Sequence, residues 1–89
     1  MAKYEPRAGD LVSVTWHDCC GFINTPLSDV KLAVCESIGF MVSRDDKCII
    51  ICTSLFAGEP PVGDFSAIPT DWCQEIEVLK KKAQPRLVI

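Results

Sequence analysis

The stretch Cys35 to Ser54, CESIGFMVSRDDKCIIICTS, decides the fold: two apolar runs flank a polar turn at Ser43-Arg44-Asp45-Asp46-Lys47. Side chains alternate between the two faces of an extended chain, so Phe40 and Val42 share one side while Met41 takes the other. Beyond the turn, Cys48, Ile50 and Cys52 alternate with Ile49, Ile51 and Thr53. Both faces of this hairpin are apolar, which calls for other elements on both sides of it, as inside a small barrel or sandwich.

Upstream, residues 1–8 read as a lead-in that ends at Gly9-Asp10, which is turn chemistry. A first strand follows from Leu11 to Trp16 or slightly beyond, with Val12, Val14 and Trp16 on a strongly apolar face and Leu11, Ser13 and Thr15 on a mixed one. Trp16 anchors the core, since an indole can bury on the order of 200 Å². From His17 to Lys31 the alternation stops. An irregular segment of this length carries specificity more often than a tight hairpin does, and binding is expected there, at His17, Asp18, Asn24 and Asp29. The alternative is a packed excursion held down by Phe22, Ile23 and Leu27, and Ser28-Asp29 could start a helical turn.

Downstream, the second strand begins near Leu32 and the third ends near Thr53. Gly39, inside the second strand, marks a bulge or a sharp bend. Leu55 to Asp64, with Gly58, Glu59, Pro60, Pro61 and Gly63, reads as a surface loop. Phe65-Ser66-Ala67-Ile68 is a short fourth strand stopped by Pro69. Residues 70–82 admit two readings: a helix with Trp72, Ile76 and Leu79 on one face, or one tight turn followed by a strand in which Ile76 and Val78 alternate with Glu75, Glu77 and Leu79. The strand is preferred because the preceding four need a partner. The expected fold is therefore mainly β, a small SH3-like or Sm-like barrel of about five strands with a short helical turn before the last strand. Residues 9–80 form one domain, and residues 81–89 form a tail ending in apolar Leu87-Val88-Ile89, which either docks on the domain or pairs with another subunit.

With 89 residues, the chain makes a single domain with a thin core. Hydrophobic residues at 48% and charged residues at 24% argue for folding over disorder. The net charge of −3 gives no general attraction to DNA or RNA, so nucleic acid is disfavoured, although Lys80, Lys81, Lys82 and Arg86 concentrate basic charge near the end. That lysine run reads as a soluble end to the domain. No stretch approaches the ~20 apolar residues of a membrane span, and the N-terminus lacks the apolar middle of a secretion signal. A cytoplasmic protein with reduced thiols is expected; in an exported chain, the six cysteines would suggest disulfides.

His17, Asp18, Cys19 and Cys20 form the one cluster with reactive variety. Zinc would need Cys35, Cys48, Cys52 or Cys73 to arrive from elsewhere, and no C-x-x-C pair exists. A Cys19 or Cys20 nucleophile with His17 as base is disfavoured because adjacent residues rarely meet in hydrogen-bonding geometry. Asp45-Asp46 read as solvated turn charges, and Asp18 as a loop cap. Neither G-x-x-x-x-G-K-[ST] nor G-x-G-x-x-G occurs, so no phosphate-cradling loop is present. No catalytic residue, metal ligand or cofactor is assigned.

Val14-Thr15-Trp16 with Asp18, Ser37-Ile38-Gly39-Phe40, Asp45-Asp46, Ile68-Pro69 and the closing Ile76-Glu77-Val78-Leu79 resemble small uncharacterised proteins encoded by bacteriophages and prophages. Those carry a V-x-W-x-D element, a variable loop, an S-[IV]-G-[FWY] element, an acidic turn, and I-P before a last strand. The resemblance runs from about Gly9 to Leu79 and implies phage origin and a compact β-rich fold, with no activity to carry over. Where that family has Asp-Ser, this chain has Asp18-Cys19. The expected function is a non-enzymatic binding protein acting on a host or phage protein. The alternatives are a self-assembling structural protein, a nucleotide- or nucleic-acid-binding barrel, or a small zinc protein.

Overall fold

The structure is a computed structural model and describes residues 4–56 and 58–82. It contains five strands: β1 (Leu11–Asp18), β2 (Ala33–Arg44), β3 (Cys48–Phe56), β4 (Val62–Pro69) and β5 (Cys73–Lys80). Single 3-10 turns occur at Leu27–Asp29 and Thr70–Trp72. All strand pairs are antiparallel, in one sheet of order β4-β3-β2-β1-β5, so β4 and β5 are its edges. Among the described residues no helix is long and apolar enough to cross a membrane.

β2 gives the sheet its shape by serving two partners in succession. Ala33–Phe40 pairs with β1, and Phe40–Arg44 pairs with β3. The exchange happens beside Gly39, where a Cβ would lie 2.9 Å from the backbone oxygen of Cys52. Only a residue without a side chain lets the two backbones approach this closely. The bulge itself lies further on, between Met41 and Ser43.

The sheet curls. Pro69 and Cys73 bracket the second 3-10 turn, so the ends of the two edge strands are at most about 15 Å apart along four Cα steps. In a flat sheet of five strands they would stand ~19 Å apart. On the concave side Val12, Val14, Met41, Ile49, Ile51 and Ile68 are buried, with Trp16, Cys73, Ile76 and Val78 packed against them. Val12 stands opposite Val78, and Val14 opposite Ile76. Pairing with the free edge of β1 thus decides the reading of residues 73–80 as a strand, preceded by the tight turn.

The third and fourth strands are longer than their sequences suggest. The ladder continues through Ser54↔Asp64, Leu55↔Gly63 and Phe56↔Val62, so of the surface loop expected over Leu55 to Asp64 only residues 58–61 are described outside the strands. Gly63 makes this extension feasible, because a Cβ there would collide with the backbone oxygen of Ser54.

Two aspartates fasten the ends of this framework. Asp10 is 1% exposed and accepts three hydrogen bonds: from the Tyr4 hydroxyl (2.8 Å), the Arg7 N–H (2.9 Å) and the Lys82 N–H (2.8 Å). Its backbone oxygen accepts from the Met41 N–H at 2.8 Å. The start of β1, the middle of β2 and the segment after β5 therefore meet at one residue. Donation from the Lys82 and Arg7 N–H groups holds Asp10 below the ordinary carboxylate range. Described residues 4–7 are thereby tied to the domain, and Lys81 sits 4.1 Å from the centre of the Tyr4 ring. Asp45 acts similarly at the β2–β3 turn, accepting from the Lys47 and Cys48 N–H groups at 2.8 Å each. Those two bonds, Cys48 first, lower its pKa as well. It closes the turn while staying exposed, so the solvated charge read from the sequence also fastens the backbone.

Gly39→Ala should cost about 1–3 kcal/mol, because its new methyl group meets backbone that cannot yield. Gly21→Ala, with nothing within 4 Å of the new carbon, should lie within about 0.5 kcal/mol of the parent in urea denaturation.

The lowered pKa values of Asp10 and Asp45 set the sign of the acid response. Both carboxylates bind protons more weakly in the folded chain than in the unfolded one. Their contribution is complete above the ordinary aspartate value of about 3.9 and is lost as pH falls through the lower folded values. Urea midpoints taken between about pH 5 and pH 2 should fall steeply, and Asp10→Asn should start lower at neutral pH and fall less over that window.

Candidate functional site

The β1–β2 ladder runs to its last pair, Asp18↔Ala33, so residues 19–32 project from the end of a regular two-strand ribbon. At the base of this loop, Trp16 is centred between two thiol-bearing neighbours, opposite Cys35 on β2 and Cys73 on β5. These small side chains leave room for the indole, whose Nε1–H donates to the Ser37 hydroxyl at 3.0 Å. Trp72, from the 3-10 turn before β5, stacks on it at 6.5 Å between ring centres and 14° between planes. The Cys73 thiol donates to the Pro69 carbonyl (3.5 Å), and desolvation pushes its pKa up.

The loop has its own local order. Thr25 Oγ1 donates to the Ile23 carbonyl at 3.0 Å, and Asn24 between them adopts φ 57°, the left-handed region that asparagine tolerates well. Pro26 precedes the 3-10 turn, closed by bonds from the Asp29 N–H to the Pro26 carbonyl (2.9 Å) and from the Val30 N–H to the Leu27 carbonyl (3.1 Å). These two turns aim Ile23 and Leu27 outward, 92% and 86% exposed. Phe22, Val30 and Leu32 are also exposed. The packed excursion that would bury Phe22, Ile23 and Leu27 is not what forms.

The four polar candidates occupy different parts of this unit. His17 lies on β1 opposite Val34, and Asp18 ends that strand. Asn24 is at the turn, and Asp29 is in the 3-10 element on the return. A cleft of about 200 Å³ at the loop base is lined by His17, Cys19, Leu32, Asp71, Trp72 and Gln74. It brings in His17 but not Asp18, Asn24 or Asp29. The backbone carbonyl of Asp18, rather than its carboxylate, faces the Cys20 thiol, at 3.9 Å.

All six cysteines are free: Cys19 and Cys20 exposed, Cys52 buried, and Cys35, Cys48 and Cys73 half-buried. Among the described residues no three His, Cys, Asp or Glu side chains converge in a way that could hold a metal ion. The residues that sequence reasoning ranked too low are Ile23 and Leu27, treated there as ballast for the loop. Their signal was the turn chemistry around them, Asn24 and Pro26, which directs neighbouring side chains away from the ribbon.

Comparison with protein-family models, curated proteins and solved structures finds no match to this chain.

Thiol alkylation of the native protein should modify Cys19 and Cys20 first, Cys73 and the other half-buried thiols more slowly, and Cys52 only on unfolding. Peptide mass mapping over a time course reads this order, and protection of Cys19 and Cys20 would contradict the exposed loop.

Proposed function

We propose that the chain is a non-enzymatic protein-binding module, phage-encoded and acting in the host cytoplasm, that engages a protein partner through residues 19–32. The observation that carries this reading is the pair Ile23 and Leu27, two aliphatic side chains almost wholly in solvent at the tip of a ribbon whose base is fixed by the Trp16–Trp72 stack. Presenting them costs the free protein exposed apolar area, and burial under a partner recovers roughly 25 cal/mol per Å². Asn24 and Asp29 would form the polar rim around them, and His17 and Asp18 the shoulder nearer the sheet, the usual arrangement of apolar anchors ringed by polar groups. For the architecture we infer a small barrel of SH3-like or Sm-like type. The strand order, the bend of β2 at Gly39 and the 3-10 turn joining the two edge strands support it. Phage origin rests on the sequence resemblance.

The test is a matched affinity capture from bacterial host lysate with the wild-type chain and an Ile23→Ala/Leu27→Ala variant. Each truncation should weaken the captured complex by about 1–2 kcal/mol, roughly five- to thirtyfold in Kd, while thermal stability stays within about 0.5 kcal/mol because neither side chain contributes to the core. Capture that is equal for the two proteins would remove the loop from the reading.

A further inference from the structure

The two edges of the sheet are unequal. β5 carries Glu75, Glu77 and Lys80, and the described N-terminal segment runs beside it: Tyr4, Glu5 and Pro6 line a cleft with Cys73 to Ile76. Charge and a covering segment are the ordinary means by which an edge strand is kept from pairing with another chain. β4 has neither. Its sequence from Val62 to Pro69 contains one charge, Asp64, and proline only at its end.

The convex face beside β4 is apolar. Phe40, Val42, Cys52, Leu55, Pro61 and Phe65 line a groove of about 480 Å³ there, in which Phe40 is 52% and Phe65 48% exposed. With Ile38, also exposed on this face, these side chains leave on the order of 400 Å² of apolar surface in water, the size of the largest patch on a typical monomer.

We propose that β4 pairs antiparallel with β4 of a second copy of this chain, about a two-fold axis at Phe65. The register follows from the strand. Residues 62–68 are those that can extend a ladder before Pro69, and Phe65 is their midpoint. An axis there sets Phe65 against the partner's Phe65, Asp64 against the partner's Ser66, Gly63 against the partner's Ala67 and Val62 against the partner's Ile68. The two aromatic rings meet on the convex face, where each already lines its own groove, so the two grooves become continuous. The carboxylate meets a hydroxyl. An axis at Asp64 would instead oppose two like charges.

Light-scattering mass of the full chain should read twice 9.8 kDa. Phe65→Glu, which opposes two carboxylates on the axis, should halve that mass with the circular dichroism of the fold unchanged. Ser66, exposed although it stands opposite Ile51 on the core face, provides a charge test that does not depend on Phe65. Ser66→Asp, facing the partner's Asp64 twice per dimer, should raise the dimer Kd by about two- to thirtyfold, and Ser66→Lys should lower it over a similar range. Should Phe65→Glu fail to fold, the Ser66 pair decides. The proposal is overturned by a wild-type chain that stays monomeric, with or without another protein bound in the groove. It is equally overturned by a dimer indifferent to both Ser66 substitutions, or by one abolished when residues 83–89 are removed, which would put the contact in the tail.

Discussion

The approach of two backbones at Gly39 and Cys52 is the constraint on which the architecture depends. A strand of twelve residues paired along its whole length to one neighbour would give a flat ribbon with one apolar face in water. Because β2 exchanges β1 for β3 beside Gly39, the two hairpins meet at an angle, and Val12 and Val14 on β1 come to face Met41, Ile49 and Ile51 across a concave core. The curl then brings Ile68 of β4 into the same core and lets a three-residue turn connect opposite edges of the sheet. Removing the hydrogen that stands where a Cβ would be therefore acts on every strand, not on one contact.

A core of six buried aliphatic side chains is small, and the chain supplements it with hydrogen bonds to charged groups at its corners. Asp10 gathers three donors at the point where the first and last described segments cross β2, and Asp45 gathers two at the turn opposite. Thr70 joins this second corner, its hydroxyl donating to the Asp45 carbonyl at 2.9 Å and its N–H to the Lys47 carbonyl at 2.9 Å, which fastens the turn between the edge strands to the β2–β3 turn. By contrast, the exposed Arg44–Glu5 pair, at 3.6 Å, has water as its competitor and adds little.

What was legible in the sequence was whatever rests on alternation. The two-faced apolar run of Cys48 to Cys52, the one-faced run of Leu11 to Trp16 and the turn at Asp45 each follow from period two and turn chemistry, and so does the final strand once β1 is recognised as needing a second neighbour. What was not legible depends on distant backbone. Nothing in the composition of Leu55, Phe56, Val62 and Gly63 separates a loop from a ladder until Ser54 and Gly63 are seen in contact. Nothing local to Asp10 announces that Lys82, 72 residues away, will donate to it. At the candidate site, the irregular segment after β1 was legible and the exposure of each side chain within it was not. Polarity drew attention to His17, Asp18, Asn24 and Asp29, whereas exposure, which is a property of the folded chain, singles out Ile23 and Leu27.

The two unsatisfied apolar surfaces lie at opposite ends of β2. The loop leaves from Ala33 and the convex groove begins at Phe40, seven residues on and hence about 23 Å away along an extended strand. Between them on the convex face the exposed Glu36, opposite Thr15, separates Val34 from Ile38, so a charged residue interrupts the apolar surface. A dimer built on β4 therefore leaves the loop untouched and presents it twice. A partner that is itself multimeric would meet two loops held by one rigid sheet, and its second contact would be intramolecular, with an effective concentration set by the spacing of the loops rather than by bulk protein. Were residues 19–32 the binding tip and β4 the assembly edge, as proposed, weak single-loop affinity would be compatible with tight capture under that arrangement.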